Sequence, residues 1–396
     1  MKILVLNCGS SSIKFQLIDM TDEKVLIKGT YERIGCDDAF CTYKAGEIKN
    51  KVEKPTPTHV EGIKAILEEI VKDEYNAIKS INEIDAVGHR VVHGGEKYSK
   101  SVLIDEDVIK GIEENKALAP LHNGANLDGI EAISKNLPGV PQVAVFDTAF
   151  HQTMEKVQYI YNIPYEYYEK DKIRKYGFHG TSHRYIKDRL NEIKNLKDGD
   201  DFKLITCHLG QGASIAAIKN GKSVDTTMGF TPLAGLPMGT RCGDIDPSVV
   251  TYIGKKYNMN YDELDNMLNK KSGVLGVSGV HSDFRDVEEA ANNGNERAKL
   301  ALETNAYNTA RFILGYIGLL NGVDAIAFAG GLGENGPETR EKILEYLECF
   351  GIKLDKEKNN VRGKEALISS DDSKAEIWVI PTNEEIMIAR DTLNII

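Results

Sequence analysis

The sequence predicts an α/β protein of two duplicated domains, with mixed sheets flanked by helices. Three observations lead there. Strand-length apolar runs alternate with helix-like segments along all 396 residues, the pattern of α/β layers with parallel or mixed sheets. That length exceeds the roughly 250–300 residues at which a single core stops growing. A weak internal repeat also joins ILVLNCGSSSIKFQLID, from Ile3, to LITCHLGQGASIAAIKN, from Leu204. Each half of the repeat runs apolar strand, small-residue turn reaching a Ser-Ile pair, then second apolar strand, which suggests duplication.

Strands over 3–7 (ILVLN) and 13–18 (IKFQLI) flank Cys8-Gly9-Ser10-Ser11-Ser12. A helix follows over 59–72, then a strand over 84–92 (IDAVGHRVV), helices over 105–116 and 123–135, and a strand over 143–146 (VAVF). Thr181 and Ser182 are good N-caps for a helix over 182–193. Strands over 203–207 and 214–218 enclose the second turn, and helices over 247–256 and 285–322 lead to a strand over 325–329. That strand enters Gly330-Gly331-Leu332-Gly333, and Pro337 opens a helix over 337–349 at its favoured first position. A strand over 376–380 and a helix over 384–395 close the chain.

Composition excludes several classes. The net charge of −11 argues against nucleic acid, which needs a basic face. It also means that an anionic substrate must be captured by local cations against the global field. No apolar run approaches the roughly 20 residues needed to cross a bilayer, and no leader precedes Ile3, so no membrane and a cytoplasmic location are expected. Cys8, Cys36, Cys41, Cys207, Cys242 and Cys349 form no C-x-x-C pair and read as reduced thiols.

Three glycine-containing turns each follow a strand. Gly9 permits positive φ, and Ser10 to Ser12 offer hydroxyls and backbone N–H groups that can wrap a terminal phosphate. Lys14 stands just past that turn as a point charge, and Asn7 just before it offers an oxygen for a metal. His208-Leu209-Gly210-Gln211-Gly212 repeats the device, and Gly331-Leu332-Gly333-Glu334-Asn335 precedes a helix N-terminus, an anion cradle. Plain polar-tipped hairpins remain the alternative. No G-x-x-x-x-G-K-[ST] occurs, and G-x-G-x-x-G at Gly331–Gly336 falls outside a first βαβ unit, which disfavours P-loop and dinucleotide readings.

Charged residues also stand where cores belong. Arg90 lies in a strand and needs a partner, structural or otherwise. Arg241 sits among small residues in LPMGTRCGD, and Asp147 follows VAVF at a strand's carboxyl end, where open α/β sheets place ligands. His179 and His183 stand four apart without the glutamate of H-E-x-x-H, so zinc is not expected. His122 follows an apolar run. Glu384 falls in a helix's first turn, where the dipole alone would favour it.

Together, LNCGSSSIKF, GHRVVHGGE, LAPLHN, VFDTAFHQTM, YGFHGTSH, HLGQGAS, MGFTPLAGLPMGTRCGD, SGVLGVSGVHSDFRD, AFAGGLGEN and IPTNEE resemble the acetate kinase family over almost the whole chain. The resemblance implies the ribonuclease H-like fold of the actin and sugar kinase superfamily, with a cleft between the domains. It implies an acyl-substrate and phosphate domain over 1–149 plus 386–396 and a nucleotide-binding domain over 150–385. The implied reaction is ATP + acetate ⇌ ADP + acetyl phosphate, by direct in-line transfer with magnesium, which manganese can replace. Asn7 and Glu384 would hold the metal. Lys14, Ser10, Ser12, His208, Leu209, Gly210, Gln211, Gly212, Asp283, Phe284, Arg285, Gly331, Leu332, Gly333, Glu334 and Asn335 would bind ATP. Arg90 and His122 would contact the acyl substrate, and Val92, Leu121, Phe178 and Pro232 match an apolar pocket for its methyl group. Asp147 would be the active-site carboxylate, with His179 and Arg241 stabilising the transition state. The family is usually homodimeric.

The chain departs from the family at Gln211, where asparagine is usual, and at Gly124-Ala125, where prolines are frequent. A propionate or butyrate kinase remains open, because one methylene shifts specificity by only about 1–3 kcal/mol. So does an ATP-driven scaffold or chaperone, in which Arg90, Asp147, His179 and Arg241 would have no purpose.

Overall fold

The computed structural model describes residues 1–119 and 122–396. The chain divides into two compact units, Met1–Gln152 with Asn383–Ile396, and Thr153–Thr382. Among the described residues, the first unit is built on eight strands: β1 (Lys2–Cys8), β2 (Ser12–Asp19), β3 (Lys24–Glu32), β4 (Phe40–Ala45), β5 (Ile48–Glu53), β6 (Ala86–Val91), β7 (Val102–Leu103) and β8 (Gln142–Phe146). They lie in the order β5-β4-β3-β2-β1-β6-β8-β7. Helices His59–Glu69 and Asn123–Asn136 cover one face, burying Leu4, Leu6, Ile13, Phe15, Ile63, Ile66 and Ile133 together. The terminal helix Glu384–Ile395 packs on β1, β6 and β8. Gly88 makes that approach feasible, since a Cβ there would stand 2.5 Å from Thr392 Oγ1 and 2.6 Å from Ile388 Cγ2.

The second unit carries β9 (Lys203–Leu209), β10 (Ala213–Lys219), β11 (Lys222–Thr226), β12 (Ala325–Ala329), β13 (Ala366–Leu367) and β14 (Glu376–Val379), ordered β11-β10-β9-β12-β14-β13. The repeat seen in the sequence is a repeat of topology. β3-β2-β1-β6-β8-β7 and β11-β10-β9-β12-β14-β13 are the same path, antiparallel through the first three strands, parallel through the next two, antiparallel at the last. The β4–β5 hairpin has no counterpart in that path.

Several expectations are corrected. The single helix over 285–322 is two, Phe284–Asn292 and Glu296–Leu319. Gly294 turns between them at φ +90°, and the Asn295 side chain caps the second by accepting from Ala298 N at 3.0 Å. The helix expected to 349 ends at Glu345. Thr181 and Ser182 do not cap the helix Gly180–Lys194: its N-cap is His179, left-handed at φ +55°, and the Ser182 hydroxyl bonds His208 Nδ1 instead. Gly9 is not among the residues with positive φ. Its amide donates to the Ser12 carbonyl at 2.8 Å within an ordinary turn. Strands β3 to β5 escaped the sequence reading because one of their faces is exposed, and charged residues there dilute the apolar alternation.

Candidate active site

In the first unit the site grows from the ends of three neighbouring strands. Asn7 lies near the end of β1, opposite Lys14 on β2. Arg90 lies near the end of β6, opposite Val145 on β8, and Asp147 follows β8 directly. Parallel registration therefore brings these side chains to one edge of the sheet. Arg90 Nη2 donates to Asp147 Oδ2 at 2.8 Å and Nη1 to Asn7 Oδ1 at 3.3 Å, with Glu384 Oε2 4.0 Å from Arg90 Nε. Glu384 reaches this edge because Asn383 starts its helix, accepting from Ile386 N at 3.1 Å.

The electrostatics are those of a crowded anionic pocket held by one arginine. Burial pulls the Arg90 guanidinium down, but Asp147 and Glu384 outweigh it and hold it above its ordinary value. Burial pushes the Glu384 carboxyl up to about 7, Arg90 opposes this, and Asp147 adds to it. Asp147 is wholly buried. Asn7 Oδ1 and the Asp147 and Glu384 carboxyl groups supply oxygens, the ligands a hard cation such as magnesium takes, and two acidic groups against one arginine leave a surplus of negative charge that such an ion relieves.

In the second unit, His179 Nδ1 bonds Ser214 Oγ at 2.8 Å. The same hydroxyl meets His183 Nε2 at 2.8 Å, and His183 Nδ1 meets Thr206 Oγ1 at 2.7 Å. This chain fixes the imidazole so that Nε2 lies beside Gly212, where a Cβ would be only 3.3 Å from it and 3.5 Å from Arg241 Nη1. Arg241 donates to the Pro232 carbonyl at 3.0 Å. Among the described residues no carboxylate comes within ion-pair distance of Arg241, and burial alone pulls its guanidinium down. Gly212, His179 and Arg241 thus frame a small space lined by cationic or hydrogen-bonding nitrogen.

Nearby, Gly330 takes φ +74° because its Cα packs against the β9 backbone; a Cβ would stand 2.6 Å from the Leu209 carbonyl oxygen. The glycine segment after β12 is itself a short helix, Gly330–Asn335, followed by Pro337–Glu345 with proline in its first turn. Gly210, Gln211, Asp283, Phe284, Arg285, Gly331, Leu332 and Asn335 line one cavity of about 390 Å³, so three separate segments named from the sequence converge. His208, Leu209, Gly212, Gly333 and Glu334 are not in its lining. Glu334 instead accepts from Gly330 N and Thr382 N.

The remaining residues belong to both units. Ser10 is exposed in the first turn. Val92 is buried in the first unit, Phe178 is buried and Pro232 half-buried in the second, and Leu121 lies outside the described residues. His122 is the N-cap residue of the helix Asn123–Asn136, its carbonyl accepting from Asn126 N at 3.0 Å, with no side-chain capping bond.

Two supports went unread in the sequence. Asn126 Nδ2 donates to the Cys8 carbonyl at 2.9 Å while its Oδ1 accepts from Val92 N at 3.1 Å. One buried amide thereby clamps the ends of the strands bearing Asn7 and Arg90. His59 Nε2 donates to the Gly9 carbonyl at 2.6 Å, steadying the serine turn. Asn126 stands four residues after His122, and an apolar helix face interrupted by asparagine was the available signal.

The sequence profile of the Acetokinase family matches residues 2–390. The chain is 58% identical to the acetate kinase of Thermoanaerobacterium thermosaccharolyticum, over 100% of this chain and 99% of that one. It is 59% identical to the acetate kinase of Caldanaerobacter subterraneus subsp. tengcongensis, over 99% and 98%. Its fold matches the crystal structure of Porphyromonas gingivalis acetate kinase at TM-score 0.96 and 49% identity, covering 100% and 99%. A propionate kinase from Francisella tularensis follows at TM-score 0.93 and 44%, covering both chains fully. The chain belongs to the acetokinase family, phosphotransferases whose acceptor is a carboxyl group.

Proposed function

We propose that this chain catalyses ATP + acetate ⇌ ADP + acetyl phosphate by direct in-line transfer. The carrying observation is Arg241, a partly buried cation with no carboxylate partner among the described residues, set with His179 Nε2 against Gly212. A phosphoryl group in transfer spreads negative charge over its equatorial oxygens, so catalysis is chiefly positioning and electrostatic stabilisation. Arg241 and His179 donate to those oxygens. Lys14, Ser10 and Ser12, the 208–212 turn, Asp283 to Arg285 and the 331–335 segment hold the nucleotide.

Acetate is already ionised near neutral pH and needs no strong base. Arg90 and His122 hold its carboxylate, and Val92, Leu121, Phe178 and Pro232 enclose its methyl group. Asp147 orients Arg90. Asn7 and Glu384 fit magnesium, or manganese in its place, whose positive charge neutralises the nucleotide phosphates when bound. The acyl-substrate and phosphate domain is assigned to residues 1–149 plus 386–396 and the nucleotide-binding domain to 150–385, with Ser10, Ser12 and Lys14 reaching the nucleotide from the former. A cytoplasmic location is part of this reading; no described helix is long and apolar enough to cross a membrane.

A homodimer is supported by the helices Pro247–Tyr257 and Tyr261–Lys270, which bury no residue while exposing Val249, Tyr252, Tyr257 and Tyr261. A monomeric mass in sedimentation would remove it. The second reading, a propionate kinase, is favoured by the likeness to the Francisella protein. A hydroxamate trap for acyl phosphate with acetate, propionate and butyrate separates the readings: acetate is expected to give the highest kcat/KM. Product with none of the acids would eliminate the kinase.

A further inference from the structure

The β4–β5 hairpin, the part of the first sheet that the duplication does not explain, builds a basic trough. On the face away from the Phe15 and Tyr43 core, Lys28 on β3 stands directly opposite Lys44 on β4, which stands opposite Lys49 on β5. The next row runs Lys14, Thr30, Thr42, Lys51. Like charges placed directly across strands destabilise a sheet, so a row of three lysines needs a reason. Among the described residues none of Lys14, Lys28, Lys44 and Lys49 lies within ion-pair distance of a carboxylate, and only Lys51 has one, Glu53 at 2.8 Å. These five lysines and Glu385 line a cavity of about 560 Å³, within the size range of small-molecule sites.

We propose that this trough binds a small, multiply charged anion, phosphate- or carboxylate-bearing, held across Lys28, Lys44 and Lys49. The concave shape favours a small molecule over an extended polyanion, and the local charge opposes the chain's overall −11, so capture depends on these side chains. The proposal rests on Lys28, Lys44 and Lys49, to which the proposed reaction assigns no role.

The test is calorimetric titration of the whole chain with inorganic tripolyphosphate and, separately, citrate, without metal. Wild type and Arg241→Ala are both expected to bind. The triple variant Lys28→Gln, Lys44→Gln, Lys49→Gln is expected to bind at least tenfold more weakly, while its turnover with acetate at saturating ATP stays unchanged. Loss with both ligands identifies a reader of charge, and loss with tripolyphosphate alone a reader of phosphate. Equal binding by the triple variant, loss in Arg241→Ala, or no binding by wild type would overturn the proposal and leave the lysines as guards against edge-to-edge aggregation.

Discussion

Arg90 and Asp147 sit at the ends of adjacent parallel strands and meet at 2.8 Å, the carboxylate wholly buried. Removing one member of such a pair costs about 3–5 kcal/mol, because the other charge stays buried. Asp147→Ala is therefore expected to lower urea stability by about that amount. Asp147→Asn, which keeps the shape, should lower kcat about 100-fold with a smaller stability loss. Near-normal turnover in Asp147→Asn would take Asp147 out of the proposed chemistry and leave it a structural counter-ion.

Arg241 makes the opposite case. Among the described residues its guanidinium has no carboxylate within ion-pair distance, and burial pulls it down, so its presence costs the folded state something. Arg241→Ala is expected to lower kcat about 100- to 1,000-fold, the range for losing one oxyanion donor, while leaving the melting temperature unchanged or higher. A large drop in melting temperature would mean that its bonds to Pro232 and Met238 are its main business.

His89, beside Arg90 but facing away from the site, should make the protein acid-sensitive. Burial lowers its imidazole from 6.5 to about 4, against a bond to Gln142 Oε1 at 2.8 Å. Between those values the unfolded chain takes up the proton and the folded chain does not. The resulting stability is thus complete above about pH 6.5 and lost as pH falls toward 4, amounting to about 3 kcal/mol. Urea midpoints of His89→Gln should fall less between pH 7.5 and pH 4.5 than those of wild type, by about 2–3 kcal/mol in free energy. Parallel pH profiles would show that other groups govern the acid transition.

By itself the sequence determined what is local or repeated. Apolar runs of strand length marked β1, β2, β9, β10 and β12, their Ser-Ile turns betrayed the duplication, and Pro337 announced its helix. Arg90, Asp147, His179 and Arg241 stood out because a charge among apolar or small residues is costly unless something answers it. Which of these answers which was decided only by tertiary structure. The Arg90–Asp147 pair spans 57 residues and depends on strand register, and Glu384 joins them by a helix returning from the chain's end. His179 takes a left-handed conformation at φ +55° while its ring bonds Ser214, 35 residues on, a partner the local sequence does not show. The lysine row was illegible for the same reason: alternation shows which side a residue faces, but only cross-strand pairing shows that three like charges stand side by side.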